Sequence, residues 1–177
     1  MKSDFYNQIA NSNAHRWQRD LNCETALANP LNLSELFEMS FAVSDINHFK
    51  ACWALELVLE QKIELLLPYL DQFCAKVKLY KNDSALRSIS KICWFISTSN
   101  SKLLKEQEQQ LLESCLDWLI QNEKVATKVY AMRALYNFSK THHWLVLELQ
   151  TILTQDYAQH TAAYKAAAKD ILKKLKK

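Results

Sequence analysis

Glycine is absent from all 177 residues, where average usage predicts roughly a dozen. Glycine reaches positive φ at no steric cost, so a chain without it forgoes most tight hairpins, strand bulges and Schellman helix ends. It also forgoes every loop whose backbone must pass close to a phosphate. A folded chain of this length built under that constraint is expected to be helices joined by short polar turns.

The composition is that of a folded chain, with 49% apolar and 23% charged residues, and the length suits one domain with a continuous core. The first 17 residues hold no apolar block fit for a signal peptide, and no later run approaches the ~20 residues that span a bilayer. The longest candidate, near 65–70, is interrupted by Pro68. The expectation is a cytoplasmic protein with no membrane insertion. Cys23, Cys52, Cys74, Cys93 and Cys115 are odd in number and lack C-x-x-C spacing, so they read as buried reduced thiols.

The net charge is +3, but Lys173, Lys174, Lys176 and Lys177 alone supply four positive charges. Residues 1–172 are therefore close to neutral, and lysines ending a helix sit well against its dipole. Only four arginines occur, Arg16, Arg19, Arg87 and Arg133, few for a protein that grips phosphates.

Apolar residues recur at i, i+3, i+4 and i+7 nearly everywhere after residue 30. Asn29-Pro30 breaks the pattern, and Asn32 with Glu35 reads as a capping pair opening a helix over 32–42. Further helices are expected over 48–60, 62–80 with Pro68 inside, 85–97, 102–120, 125–140, 143–154 and 159–176. Turns fall at 43–47, 81–84 and 97–101, and the first 28 residues supply one or two more helices. The expected organisation is a single domain over 1–177. Residues 1–30 form an N-terminal cap, and helix pairs cover 31–61, 62–98, 102–140 and 143–177.

The second helix of each pair repeats an order of residue types. Aligning Lys50, Arg87, Lys128 and Lys165 gives steps of 37, 41 and 37 residues. Three positions on stand Trp53, Ser90, Ala131 and Ala168, mostly small; seven on stand Leu57, Trp94, Leu135 and Leu172, all large and apolar. Small residues let helices approach, and large ones fill the shared core. Asp45, Asn82, Glu123 and His160, five positions before the basic column, are polar turn residues.

On these residues the chain resembles the HEAT-like repeat family of the armadillo/HEAT class, over about Leu31 to Lys176. Spacings near 40 suit that family, and Pro68 in Ile63-Glu64-Leu65-Leu66-Leu67-Pro68-Tyr69-Leu70 resembles the proline that kinks the first helix of many such repeats. One pair alone carries it, and bulky Trp53 departs from the small column. The resemblance implies an all-α, right-handed α-α superhelix of about four to five antiparallel helix pairs. It also implies that the basic column bonds polar turn residues of adjacent repeats, as a ladder, with contact to a partner as the other reading.

No motif carries catalysis. Glycine's absence removes P-loops, dinucleotide fingerprints and the G-x-S-x-G elbow. Asp45-Ile46-Asn47-His48 is a helix start, and His142 and His143 point about 100° apart on a helix, so neither suggests a metal site. No cofactor is implied. The resemblance does raise one enzyme class, the DNA alkylpurine glycosylases that use this architecture, with Trp53 beside Glu56 or Glu60 in the role of aromatic and acid. Packing is the other reading of Trp53, Trp94 and Trp118. Near-neutrality and scarce arginine count against nucleic acid. The favoured expectation is a non-enzymatic scaffold that binds a protein or peptide on the concave, second-helix face. Its candidate residues are Glu56, Lys91, Phe95, Arg133, Tyr136 and Lys169, with Phe95 and Tyr136 at matching columns as aromatic anchors.

Overall fold

The structure is a computed structural model that describes residues 2–99, 101–155 and 157–176. Asn100 of the expected 97–101 turn and Lys177 of the basic tail lie outside the described residues. The described residues form α-helices without a strand: α1 (Asp4–Asn11), α2 (Arg16–Ala28), α3 (Pro30–Phe41), α4 (His48–Gln61), α5 (Leu70–Lys76), α6 (Asp83–Thr98), α7 (Lys105–Ile120), α8 (Val125–Phe138), α9 (Trp144–Thr154) and α10 (Ala162–Leu175). The chain divides into two compact units, Met1–Ile92 and Cys93–Lys177. No described helix is long and apolar enough to cross a membrane.

Several boundaries differ from the sequence expectation, four of them for a plain local reason; the helix expected from 159 begins at Ala162, where Thr161 Oγ1 accepts the Tyr164 amide at 3.4 Å. The helix expected to open at Asn32 begins at Pro30, because Asn29 Oδ1 accepts the Leu31 amide at 2.9 Å. Proline is favoured at this first position, where its missing N–H has no helical partner to lose. Asn32 instead donates to the Thr25 carbonyl at 3.3 Å. The helix expected over 62–80 is divided into a 3-10 segment (Ile63–Tyr69), α5 and a second 3-10 turn (Val77–Leu79). Pro68 lies inside the first of these, where it removes an amide donor and crowds the preceding turn. The helix expected from 102 starts at Lys105, where the Leu104 amide donates to Gln107 Oε1 at 2.8 Å.

In the first unit, Phe37, Phe41 and Phe73 are fully buried, and Tyr69 stacks on Phe37 with ring centroids 4.0 Å apart. Tyr80 is buried with its hydroxyl donating to the Ser40 carbonyl at 2.9 Å. In the second unit Leu111, Cys115, Met132, Leu135, Leu145 and Leu149 are wholly buried. All five cysteines are buried and form no disulfide.

The helix C-termini show how the chain manages without glycine. The C-caps of α1–α5 and α7–α10 all have negative φ. Hydroxyl side chains near the helix ends bond the last carbonyls: Ser12 to Ile9, Thr98 to Phe95, Ser99 to Ile96, Ser139 to Tyr136 and Thr154 to Thr151. Lysines of a later helix bond others. Lys50 donates to Ala10 O, Lys128 to Leu119 O at 3.0 Å and Lys165 to Ala158 O at 2.8 Å.

These three lysines belong to the basic column, and their partners correct the expected ladder. They bond backbone carbonyls near the end of an earlier helix or turn rather than polar turn side chains, because those carbonyls lack intrahelical donors. Replacing Lys128 by Met is expected to lower unfolding free energy by about 1 kcal/mol through the orphaned Leu119 carbonyl. Urea unfolding with an unchanged m-value checks this.

Candidate functional site

The burial pattern along the second helices shows how their faces correspond. Ile89, Ile92, Cys93 and Ile96 of α6 are buried, as are Ala131, Ala134, Leu135 and Phe138 of α8, each 42 residues further on. Aligning charges gave 41, a slip of one residue and hence of about 100° around a helix. In the 42-residue register Tyr136 matches Trp94, Lys91 matches Arg133, and Phe95 matches Asn137. Phe95 and Tyr136 therefore do not share a column, and Arg87 does not belong with Lys128.

In the first unit, Glu56 is only 1% exposed. Ser88 Oγ donates to its Oε2 at 2.6 Å, Arg87 Nη1 lies 3.2 Å from the same oxygen, and Lys91 Nζ reaches Oε1 at 3.0 Å. Lys91 also bonds Glu60 at 3.0 Å. Arg19 Nη2 stands 3.4 Å from Oε1, an ion-pair distance without hydrogen-bond alignment, and its Nε has no hydrogen-bond partner among the described residues. The residues come from α2, α4 and α6, and α2 packs on α4.

Burial pushes the Glu56 carboxyl upward, but the Ser88 hydroxyl, Arg87 and Lys91 outweigh it and hold the group below its ordinary 4.5. Burial likewise lowers Lys91, and its bonds to Glu60 and Glu56 outweigh that and raise it above 10.5. Glu56 is thus a charged tie between helices at neutral pH. A general acid needs the opposite, a raised pKa and room for substrate. The pairing of Trp53 with Glu56 does not form a reactive site either: Trp53 packs edge-on against Phe49 at 5.2 Å, and both Glu56 oxygens are engaged.

The second unit holds an aromatic cleft of about 360 Å³ where α6, α8 and α10 contribute Trp94, Arg133, Tyr136, Asp170 and Lys174. Tyr130 stacks on Trp94, with centroids 5.9 Å apart and planes 18° from parallel. The Arg133 guanidinium lies over the Trp94 ring at 5.0 Å. The ammonium groups of Lys140 and Lys174 lie 5.3 and 5.8 Å from the Tyr136 centroid. Lys174 also bonds Asp170 at 2.7 Å, and Asn137 donates to Ser97 at 3.1 Å, tying α8 to the end of α6.

The six sequence candidates therefore separate. Glu56 and Lys91 form the buried charge cluster, where Glu56 has no surface to offer. Arg133 and Tyr136 share the cleft, and half-buried Phe95 lies beside Trp94 at 5.8 Å. Lys169 lines a different cleft, with Tyr157 and Leu172. Sequence reasoning assigned Trp94 to the core; the apolar register of α6 and α8, used in place of their charges, brings it into line with Tyr136. Among the described residues no cluster of histidine, cysteine and carboxylate side chains could hold a metal.

Acid titration tests the charge cluster. A depressed carboxyl stabilises above its unfolded pKa, and that contribution is lost as pH falls through the folded value. Glu56→Gln is expected to destabilise by about 3 kcal/mol near pH 7 by leaving cations buried unpaired. The gap from wild type should close below pH 4.5, as followed by circular dichroism.

The family model described as HEAT repeat domain matches residues 6–175. No curated protein and no solved structure matches the chain.

Proposed function

We propose that this chain, which belongs to the HEAT repeat domain family, works as a non-enzymatic adaptor holding a protein or peptide partner in the cleft of Trp94, Arg133 and Tyr136. Stacked helix pairs in such proteins bury one continuous core and leave their second helices to face a partner. The observation that carries the reading is the assembly of two aromatic rings and two cations, Arg133 and Lys174, from the second helices α6, α8 and α10 in one cleft, with Lys140 of the turn after α8 beside the Tyr136 ring. Trp, Tyr and Arg are the residue types that dominate interface energies. With Arg133, Lys140 and Lys174 against the single carboxylate of Asp170, the cleft favours a segment that carries an acidic side chain beside an apolar or aromatic one.

Phe95 extends this surface at one edge, whereas Glu56 and Lys91 act by fixing helices rather than by touching the partner. Co-purification with wild type against a folded Arg133→Glu/Tyr136→Ala variant tests the reading: the partner is expected to be lost, and equal recovery would reject this surface.

A nucleic-acid binder or alkylpurine glycosylase-like enzyme is the alternative. It needs a carboxylate beside Trp53 open to a bound base and arginines free for phosphate; Glu56 is buried, and Glu60, though at the surface, is paired with Lys91 at 3.0 Å. Arg16 is paired with Asp20 at 2.8 Å, and Arg19 and Arg87 are committed to Glu56. A salt-titrated DNA-binding assay is expected to show no salt-sensitive binding even at low ionic strength.

A further inference from the structure

We infer that α10 carries a second docking surface, separate from the aromatic cleft, for an acidic amphipathic helix of a partner protein. Asp170, Ile171 and Lys174 of α10 line the aromatic cleft. Lys169, Leu172, Lys173 and Lys176 line another, of about 690 Å³, together with Thr154 and Tyr157. The two sets of residues share no member, so the inference stands independently of the adaptor reading above.

Charge and polarity define the occupant. Lys169, Lys173 and Lys176 stand at i, i+4 and i+7, the spacing of one helix face. None of the three is paired with a carboxylate among the described residues, in contrast to Lys174 on the other side. The helix dipole accounts for cations in the last turn of α10, but its influence fades within one turn. Lys169 lies beyond that reach, so the dipole does not explain the stripe. The cleft floor is apolar: Leu172 is half-buried, and the Tyr157 hydroxyl is occupied by the Lys165 carbonyl at 3.1 Å, which leaves its ring as hydrocarbon surface.

The three lysines, the last at the C-cap of α10, lie within seven helical steps, roughly 10 Å at 1.5 Å per residue. That length matches about two turns of a second helix laid along α10. Leucine-type side chains of such a helix would enter over Leu172 and Tyr157, and its flanking glutamates would meet the lysines. This is the helix-in-groove mode, in which apolar anchors give affinity and charge gives register.

The probe is a synthetic fluorescein-labelled helix with leucines at i, i+3, i+4 and i+7 and flanking glutamates, titrated into the full chain and read by anisotropy. Binding is expected at low salt, weakening as ionic strength rises. Lys169→Glu/Lys173→Glu/Lys176→Glu should weaken it by about tenfold or more, and should in turn bind the same helix carrying lysines in place of glutamates. Arg133→Glu/Tyr136→Ala should leave it unchanged, which separates failure here from failure of the aromatic cleft. Should the triple reversal lose helicity by circular dichroism, the Gln triple and Leu172→Gln replace it, with the same loss expected. Equal affinity for the glutamate and lysine helices, unchanged affinity in the variants, or binding to phosphatidylserine vesicles but not to the helix overturns the proposal.

Discussion

A helix ends with carbonyls that no intrahelical amide can satisfy, and the usual remedy is a glycine in the left-handed conformation. This chain has none, and that constraint propagates through the structure. Where a glycine cap closes a helix on itself, a lysine from another helix closes it on a neighbour. Lys50 and Lys128 each perform that role, so capping and helix docking become one interaction, while Lys165 bonds Ala158 in the turn before its own helix. Hydroxyl groups add to these: Ser99, Ser139 and Thr154 are local solutions at the ends of α6, α8 and α9. Lys50 and Lys128 of the basic column thus answer helix termini, whereas Arg87 answers the Glu56 carboxylate.

The Glu56 cluster is a second consequence of joining helices by charge. A buried ion pair gains little net stability over a well-packed apolar contact, because desolvation opposes it. What it does supply is geometry, since a misplaced helix leaves a carboxylate unsatisfied in the interior. Glu56 on α4 takes contacts from Arg19 on α2 and from Arg87, Ser88 and Lys91 on α6. Arginine scarcity then gains a structural meaning. Arg16 pairs on its own helix, two more arginines serve Glu56, and Arg133 alone lies on an aromatic ring.

How far the sequence could be read depended on which force sets each feature. Amphipathic period locates the helices because apolar burial sets it, and α9 begins within a residue of the expected position. Helix starts were less legible: Asn29, Asn32 and Asn82 are chemically alike, and only tertiary contacts show that Asn32 reaches Thr25 while the other two cap. Arg133 and Tyr136 share a cleft, as their three-residue spacing on one helix face implies. Trp94 was missed because charges were aligned instead of buried positions. Lysine and arginine side chains are long enough to find different partners from similar places, whereas Ile89, Ile92 and Cys93 must face the core. Apolar register is the stricter guide. The Lys169 cleft left no comparable trace, since a lysine run at a helix end reads equally well as a response to the dipole.

The aromatic cleft is suited to recognition because its parts are already ordered. Trp94 is restrained by Tyr130 and Arg133, Tyr136 by Lys140 and Lys174, and α8 is tied to α6 through Asn137 and Ser97. Ordering flexible side chains opposes association, so a surface that has lost that freedom on folding binds with less entropic penalty. Arginine stacked on an aromatic face is also weakly hydrated and keeps its donors in a fixed plane. A carboxylate can then replace water at Arg133 without rebuilding the site. The same stacking requires Trp94 to stay half-exposed, which places a large apolar ring where a second-helix position would otherwise close over core.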